Sequence, residues 1–248
     1  MIKQAHKVLL RGVRGDQKQP GEFRKSQNWI GGATLHDAVF IPPVHYEIDA
    51  LMSDLEKFAN NEEDYLPDLI KIALIHYQFE TIHPFLDGNG RTGRLLITLY
   101  LVSKDVLKRP ILYLSDFFER HRSLYYDNLM RVRSHGDINQ WLKYFLAGVI
   151  ETSKKGVQTL DSIMQIKETI ENQMVTLGKR STDARLVVAH MYKKPIVSAK
   201  ELVKMTGKSS QTVYNLLADL ERLQIIKEIT GAQRYKLYMF ESYINCFK

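Results

Sequence analysis

The chain has a single cysteine, Cys246, near one end. No disulfide can form within it, which fits a reducing cytoplasm and excludes a disulfide-stapled secreted scaffold. Long apolar runs are missing too. Leu95 to Val102, near the centre, falls far short of the roughly 20 residues that cross a bilayer. The opening residues Met1 to His6 lack the apolar stretch of a secretory signal. The expectation is a cytoplasmic protein with no membrane partner. There is no internal repeat and no low-complexity tract, so solenoid and disordered architectures are set aside. What is present is ordinary globular material: 248 residues, 44% apolar, 25% charged. That suits one large domain, or a medium one with a small one. The net charge of +7 is uneven. Residues from Thr182 onward carry +5 and the preceding 181 carry +2. This hints at an anionic partner for the C-terminal part, although the surplus is modest.

Residues Ile2 to Leu10 read as a short helix ended by Gly12 and Gly15. Asn28 to Pro43 carries two short apolar segments around polar turn residues and reads as a β-hairpin. Ile48, Leu51, Met52, Leu55 and Phe58 recur at helical spacing. Pro67 opens the next helix, which is apolar on nearly all sides through Phe79 and is therefore central. Pro84 stops it, and a second apolar helix runs from Arg91 to Val102. Ser115 is expected to cap a helix from Asp116, with further helices through Tyr125-Tyr126 and Trp141 to Leu146. From Val149 one long helix runs to Gly178, whose place is C′. The expected parts are 1–150, a connecting helix 151–181, and a small domain 182–248. That last part shows three helices (182–192, 198–204, 209–223) and then two strands around Thr230-Gly231-Ala232. This is the winged-helix order.

The chemistry concentrates in His83-Pro84-Phe85-Leu86-Asp87-Gly88-Asn89-Gly90-Arg91-Thr92-Gly93-Arg94. A helix N-terminus offers unpaired N–H groups and partial positive charge. Gly88 and Gly90 let a phosphate approach the backbone, and Asn89 adds an amide donor. Asp87 is placed to hold Mg²⁺, which takes one or two carboxylates plus phosphate oxygens. Arg91 and Arg94 share a face of the first turn and suit outer phosphates. His83 can take a proton at neutral pH. The set specifies attack on a phosphate by a hydroxyl.

This segment resembles the Fic family motif His-x-Phe-x-(Asp/Glu)-Gly-Asn-Gly-Arg-x-x-Arg at every specified position. Pro20 to Arg24, Asn28 to Gly32, His76 to Ile82 and Thr230 to Arg234 extend the resemblance over nearly the whole chain, toward Fic proteins with a C-terminal winged helix. The resemblance implies a mainly α fold: a helical Fic-type domain with a β-hairpin flap, plus a small winged-helix (α+β) domain. It implies adenylylation, the transfer of AMP from ATP to a Tyr, Ser or Thr hydroxyl of a target protein. On this chain His83 is then the base, Asp87 the metal ligand, and Gly88, Asn89 and Gly90 the α-phosphate cradle. Arg91 and Arg94 hold the outer phosphates, and Tyr125 contacts the nucleoside. Gly31, Gly32, Ala33, Thr34 and Leu35 belong to a flap that takes the target segment by strand addition. The family's inhibitory (Ser/Thr)-x-x-x-Glu-(Gly/Asn) helix finds no match. Glu171-Asn172 comes nearest, but Lys167 stands in the Ser/Thr place. Arg94 is therefore expected to be free for the γ-phosphate.

Several readings stay open on the residues alone. Tyr125 suits the core as well as a nucleoside wall, and Arg24 an ion pair as well as a phosphate or flap contact. His76 reads as a satisfied helix histidine rather than a metal ligand. The winged helix can take DNA, another protein or a second copy, with Ser209 to Tyr214 as its recognition segment. The alternatives to adenylylation are removal of AMP, use of another nucleotide, or a DNA-binding regulator that senses nucleotide.

Overall fold

The computed structural model describes residues 1–12, 19–63, 65–232 and 234–247. Gly15, and Gln233 within the stretch Thr230 to Arg234, lie outside the described residues. The chain forms two compact units, Met1–Lys154 and Lys155–Lys248.

The first unit contains α1 (Ile2–Leu9), α2 (Ile48–Asn60), α3 (Asp68–Ile82), α4 (Asn89–Ser103), α5 (Leu114–Arg120) and α6 (Arg122–His135). The first part of α7 (Ile138–Val175) completes it. α3 is the hub. Ile72, Ala73, Ile75, Phe79 and Ile82 are all sealed from solvent, as its apolar circumference requires. Ile97 and Leu101 of α4 and Trp141 and Phe145 of α7 belong to the same core. The Trp141 indole N–H donates to the Ala73 carbonyl at 2.9 Å, so the buried ring leaves no donor unpaired.

The helix expected through Leu146 and the one expected from Val149 are one helix, α7. Gly148 does not break it, for a packing reason. A Cβ there would come within 2.6 Å of the Phe117 ring, so glycine admits α5 against α7. The next helix start is also earlier than expected. α5 begins at Leu114 with Tyr113 as N-cap, and Ser115 lies inside the first turn.

The second unit holds the rest of α7, then α8 (Ser181–Met191), β1 (Ile196–Ser198), α9 (Ala199–Thr206), α10 (Ser210–Arg222), β2 (Lys227–Glu228), β3 (Leu237–Met239) and α11 (Glu241–Asn245). Ser198 caps α9 by accepting from Glu201 N–H, and Ser209 caps α10 by accepting from Thr212 N–H. The three strands form an antiparallel sheet in the order β1-β3-β2. β1 was not legible in the sequence. It is only three residues long and gains its identity by pairing with Leu237 to Met239.

Candidate active site

α3 ends because Pro84 cannot continue it. His83 occupies the C-cap in the left-handed region, at φ 49° and ψ 60°. A non-glycine residue held there costs on the order of 1–3 kcal/mol, so its surroundings must enforce it. Phe85 then drops into the core, fully buried, with its ring stacked on His6 at 3.7 Å between centroids. The turn into α4 is made by Gly88 at φ 77°. A Cβ there would also press on His6 Nε2 and Leu10 Cδ2, each at 3.3 Å. α4 begins at Asn89, two residues before the expected start at Arg91. The first bond along the helix is Thr92 N–H to the Gly88 carbonyl at 2.9 Å. Helical geometry therefore leaves the N–H groups of Asn89, Gly90 and Arg91 without partners inside the helix, the requirement for an anion site.

One expected donor is committed elsewhere. The Asn89 side chain is buried, and its Oδ1 accepts from Phe85 N–H at 2.8 Å. Its Nδ2 donates to the Phe85 carbonyl at 2.7 Å. Asn89 thus staples the loop shut and can offer a ligand its backbone N–H, not its amide side chain. Tyr125 also departs from the sequence expectation. It is 3% exposed, inside the core, and its hydroxyl bonds to His76. A ring enclosed by Phe118, Trp141 and His76 has no face left for a nucleoside.

The charges gather at the open end of α4. Asp87 is exposed, its Oδ1 accepts from Gly88 N–H at 2.6 Å, and its Oδ2 lies 3.5 Å from Arg91 Nη2. Arg94 folds back beside the first turn, with Nη1 3.1 Å from where a Gly90 Cβ would be. Burial is the main cause that lowers the His83 pKa to about 4, with Arg133 and Arg24 adding to it. Its Nδ1 is enclosed without a hydrogen-bond partner among the described residues. The imidazole is neutral at physiological pH and can accept a proton.

His76 is the satisfied core histidine expected. With burial holding its pKa near 4, it is neutral. Its Nδ1–H donates to the Gly93 carbonyl at 3.0 Å, which leaves Nε2 to accept from the Tyr125 hydroxyl at 2.9 Å.

Three neighbours escaped sequence reasoning. His6 is fully buried; its Nε2–H donates to the Asp87 carbonyl at 2.9 Å and its Nδ1 accepts from Gly21 N–H at 2.8 Å. Burial keeps it neutral by lowering its pKa. Glu80 is buried, with Oε1 unpaired, and burial pushes its pKa up to about 7 against the pull of Arg94 and Arg133. Arg133 donates to the Glu80 carbonyl at 3.1 Å and lies 3.7 Å over the Phe40 ring. Only Glu80 left a hint in the sequence, as a carboxylate within the apolar helix α3.

The expected hairpin is corrected to a loop pinned by one antiparallel bridge, Ile30 to Phe40. Gly31 and Gly32 both take positive φ, and Leu35–Asp37 form a 3₁₀ turn. The Asp37 carboxylate accepts from the Ala33 and Thr34 N–H groups and the Thr34 hydroxyl at 2.6–2.8 Å. The Thr34 hydroxyl is the largest cause holding its pKa at about 2. This local capping outcompetes strand pairing. Leu35, Val39 and Ile41 remain exposed on the loop.

Residues 1–101 match the family described as Fic/DOC family. The chain is 34% identical over 144 residues to a protein adenylyltransferase Fic of Aedes aegypti, covering 58% of this chain and 26% of that protein. It is 30% identical over 191 residues to the one of Drosophila melanogaster, covering 77% of this chain and 34% of that protein. It thus spans about a quarter to a third of the length of these curated relatives. A crystal structure of a Fic family protein from Desulfovibrio desulfuricans superposes with a TM-score of 0.56 at 22% identity, covering 96% of this chain and 67% of that one. At that identity the likeness shows the fold, which is mainly helical and Fic-type.

Proposed function

We propose that this chain is a protein adenylyltransferase that moves AMP from ATP to a hydroxyl of a target protein. The carrying observation is the junction of α3 and α4. A neutral His83 stands at the end of one helix, and free N–H groups with two guanidiniums stand at the start of the next. Residue by residue, the backbone N–H groups from Asn89 to Arg91 suit the α-phosphate, with Gly88 and Gly90 keeping the approach clear. Arg91 and Arg94 suit the outer phosphates. The target hydroxyl oxygen attacks the α-phosphorus, and His83 Nε2 takes its proton. The new O–P bond forms as the bond from the α-phosphorus to the bridging oxygen breaks, and pyrophosphate leaves. The relatives named as protein adenylyltransferases support this reading.

Mg²⁺ fits the donor set. Among the described residues no three His, Cys, Asp or Glu side chains cluster as a metal cage. The exposed Asp87 carboxylate instead offers the single protein ligand that Mg²⁺ on phosphates accepts. When bound it would neutralise phosphate charge. The loop from Gly31 to Leu35, together with the exposed Val39 and Ile41 that follow it, is read as the surface that meets the target.

The second unit is read as a winged helix, on the strength of α8 to α10 and the sheet order β1-β3-β2. Its exposed α10 face, from Ser210 to Tyr214, suits a macromolecular partner, protein or DNA. No helix among the described residues is long and apolar enough to cross a membrane, and a cytoplasmic setting fits the single cysteine.

The test is incubation with Mg²⁺ and ATP labelled on the α-phosphate, with His83→Ala alongside. Label on protein that vanishes in the variant is the expected result. Label that arrives only from the γ-phosphate would replace this reading with a kinase.

A further inference from the structure

We infer that Arg24 is a positioning residue for the transfer: one buried guanidinium holds the backbone of His83 and both roots of the flap loop as a single unit. This rests on the adenylyltransferase reading above. Arg24 is 2% exposed. Its Nε donates to the His83 carbonyl at 3.0 Å, and its Nη1 to the Ser26 carbonyl at 3.1 Å. Its Nη2 donates to the Pro43 carbonyl and, at 3.5 Å, to that of Ile82. Arg24 N–H donates to the Pro84 carbonyl at 2.9 Å.

Ser26 and Pro43 bracket the flap loop, while Ile82, His83 and Pro84 carry the base. Among the described residues no carboxylate pairs with this guanidinium. A buried cation satisfied by carbonyls alone is a costly way to close a loop, and an apolar side chain would fill the same space more cheaply. The guanidinium supplies what an apolar residue cannot: a rigid fork of donors that reaches three chain segments at once. Those bonds enforce the left-handed His83 and fix its distance from whatever the flap presents. The ATP-binding groups at the start of α4 touch none of them.

The test compares the wild-type chain with Arg24→Lys, which keeps the charge and loses the fork. Transfer from α-labelled ATP is expected to slow about 100-fold, the effect of roughly 1 Å of misplacement. Affinity for Mg-ATP by calorimetry should stay within about twofold. Amide exchange at Ile30 and Phe40 should quicken by about tenfold or more, as loss of a bond from a charged donor implies. An unchanged rate, or a fall in affinity matching the fall in rate, would overturn the proposal. So would unchanged exchange at the flap bridge. If the wild-type chain transfers no label, the adenylyltransferase reading fails, and the exchange measurement still decides whether Arg24 clamps the loop.

Discussion

Gly93 marks where α4 presses most closely on α3, and it allows a substitution whose sign can be worked out. An added Cβ would meet Glu80 Oε1 at 2.5 Å, Phe79 Cδ1 at 3.0 Å and His76 Cε1 at 3.2 Å. The carboxylate is buried and cannot swing to solvent, and the two rings belong to the core. In Gly93→Ala the helix gains about 1 kcal/mol of propensity. Overpacking of this kind costs about 1–3 kcal/mol, and a contact as short as the one to Glu80 argues for the upper half of that range. The net expectation is a loss of about 1–2 kcal/mol. For a unit of this size that lowers Tm by about 2–8 °C. Thermal melts followed by tryptophan fluorescence report on the right unit, because Trp29 and Trp141 both lie in Met1–Lys154. The control is Gly156→Ala in α7, where a Cβ would meet nothing within 4 Å. It should stabilise by up to about 1 kcal/mol, read by far-UV circular dichroism. If Gly93→Ala melts at or above the wild type, the close approach of α3 and α4 is not what the packing here describes.

Asn89→Ala removes both bonds to Phe85. The Phe85 carbonyl keeps its bond from Asn28 Nδ2 at 3.1 Å, and the buried Phe85 N–H is left unpaired. The expected loss is about 1–3 kcal/mol in urea unfolding, with weaker Mg-ATP binding by calorimetry, since the phosphate loop loses its staple. His76 predicts a pH dependence. Its folded pKa of about 4 lies below the unfolded 6.5, so the unfolded chain binds the proton first as pH falls. Up to about 3 kcal/mol present at neutral pH should be lost between pH 6.5 and 4. Glu80, raised to about 7, works in the opposite direction over part of that window. His83, lowered to about 4 as well, adds a loss of the same sign over the same window. His76→Gln should therefore reduce the acid-side slope of the Tm profile without abolishing it, and a profile that keeps its full slope in that variant would remove His76 as a cause.

Local order explains why much of this protein was legible before its structure. The helices from Ile48 to Ser103 follow from spacing that one turn after the next repeats. The loop from His83 to Arg94 follows from residue types whose conformational and charge needs are local. The flap shows where pattern reading fails. Two apolar segments around glycines suggest a hairpin, but the Asp37 carboxylate captures the turn amides and leaves one bridge. The choice lay between two competing local bonding schemes, and the period of the sequence does not separate them.

By itself the sequence determined where the chain reverses at Pro84 and Gly88, which helices are apolar enough to be central, and which groups crowd the start of α4. Tertiary structure alone decided which polar residues serve that site and which serve the core. Arg24 meets His83 across 59 positions, His6 meets Asp87 across 81, and Tyr125 turns inward to His76 across 49. The reason is physical. A helical period encodes which side of a segment is buried, whereas the partner of a buried polar atom is set by how separate segments come to lie together, and hydrogen bonds form only at that final distance.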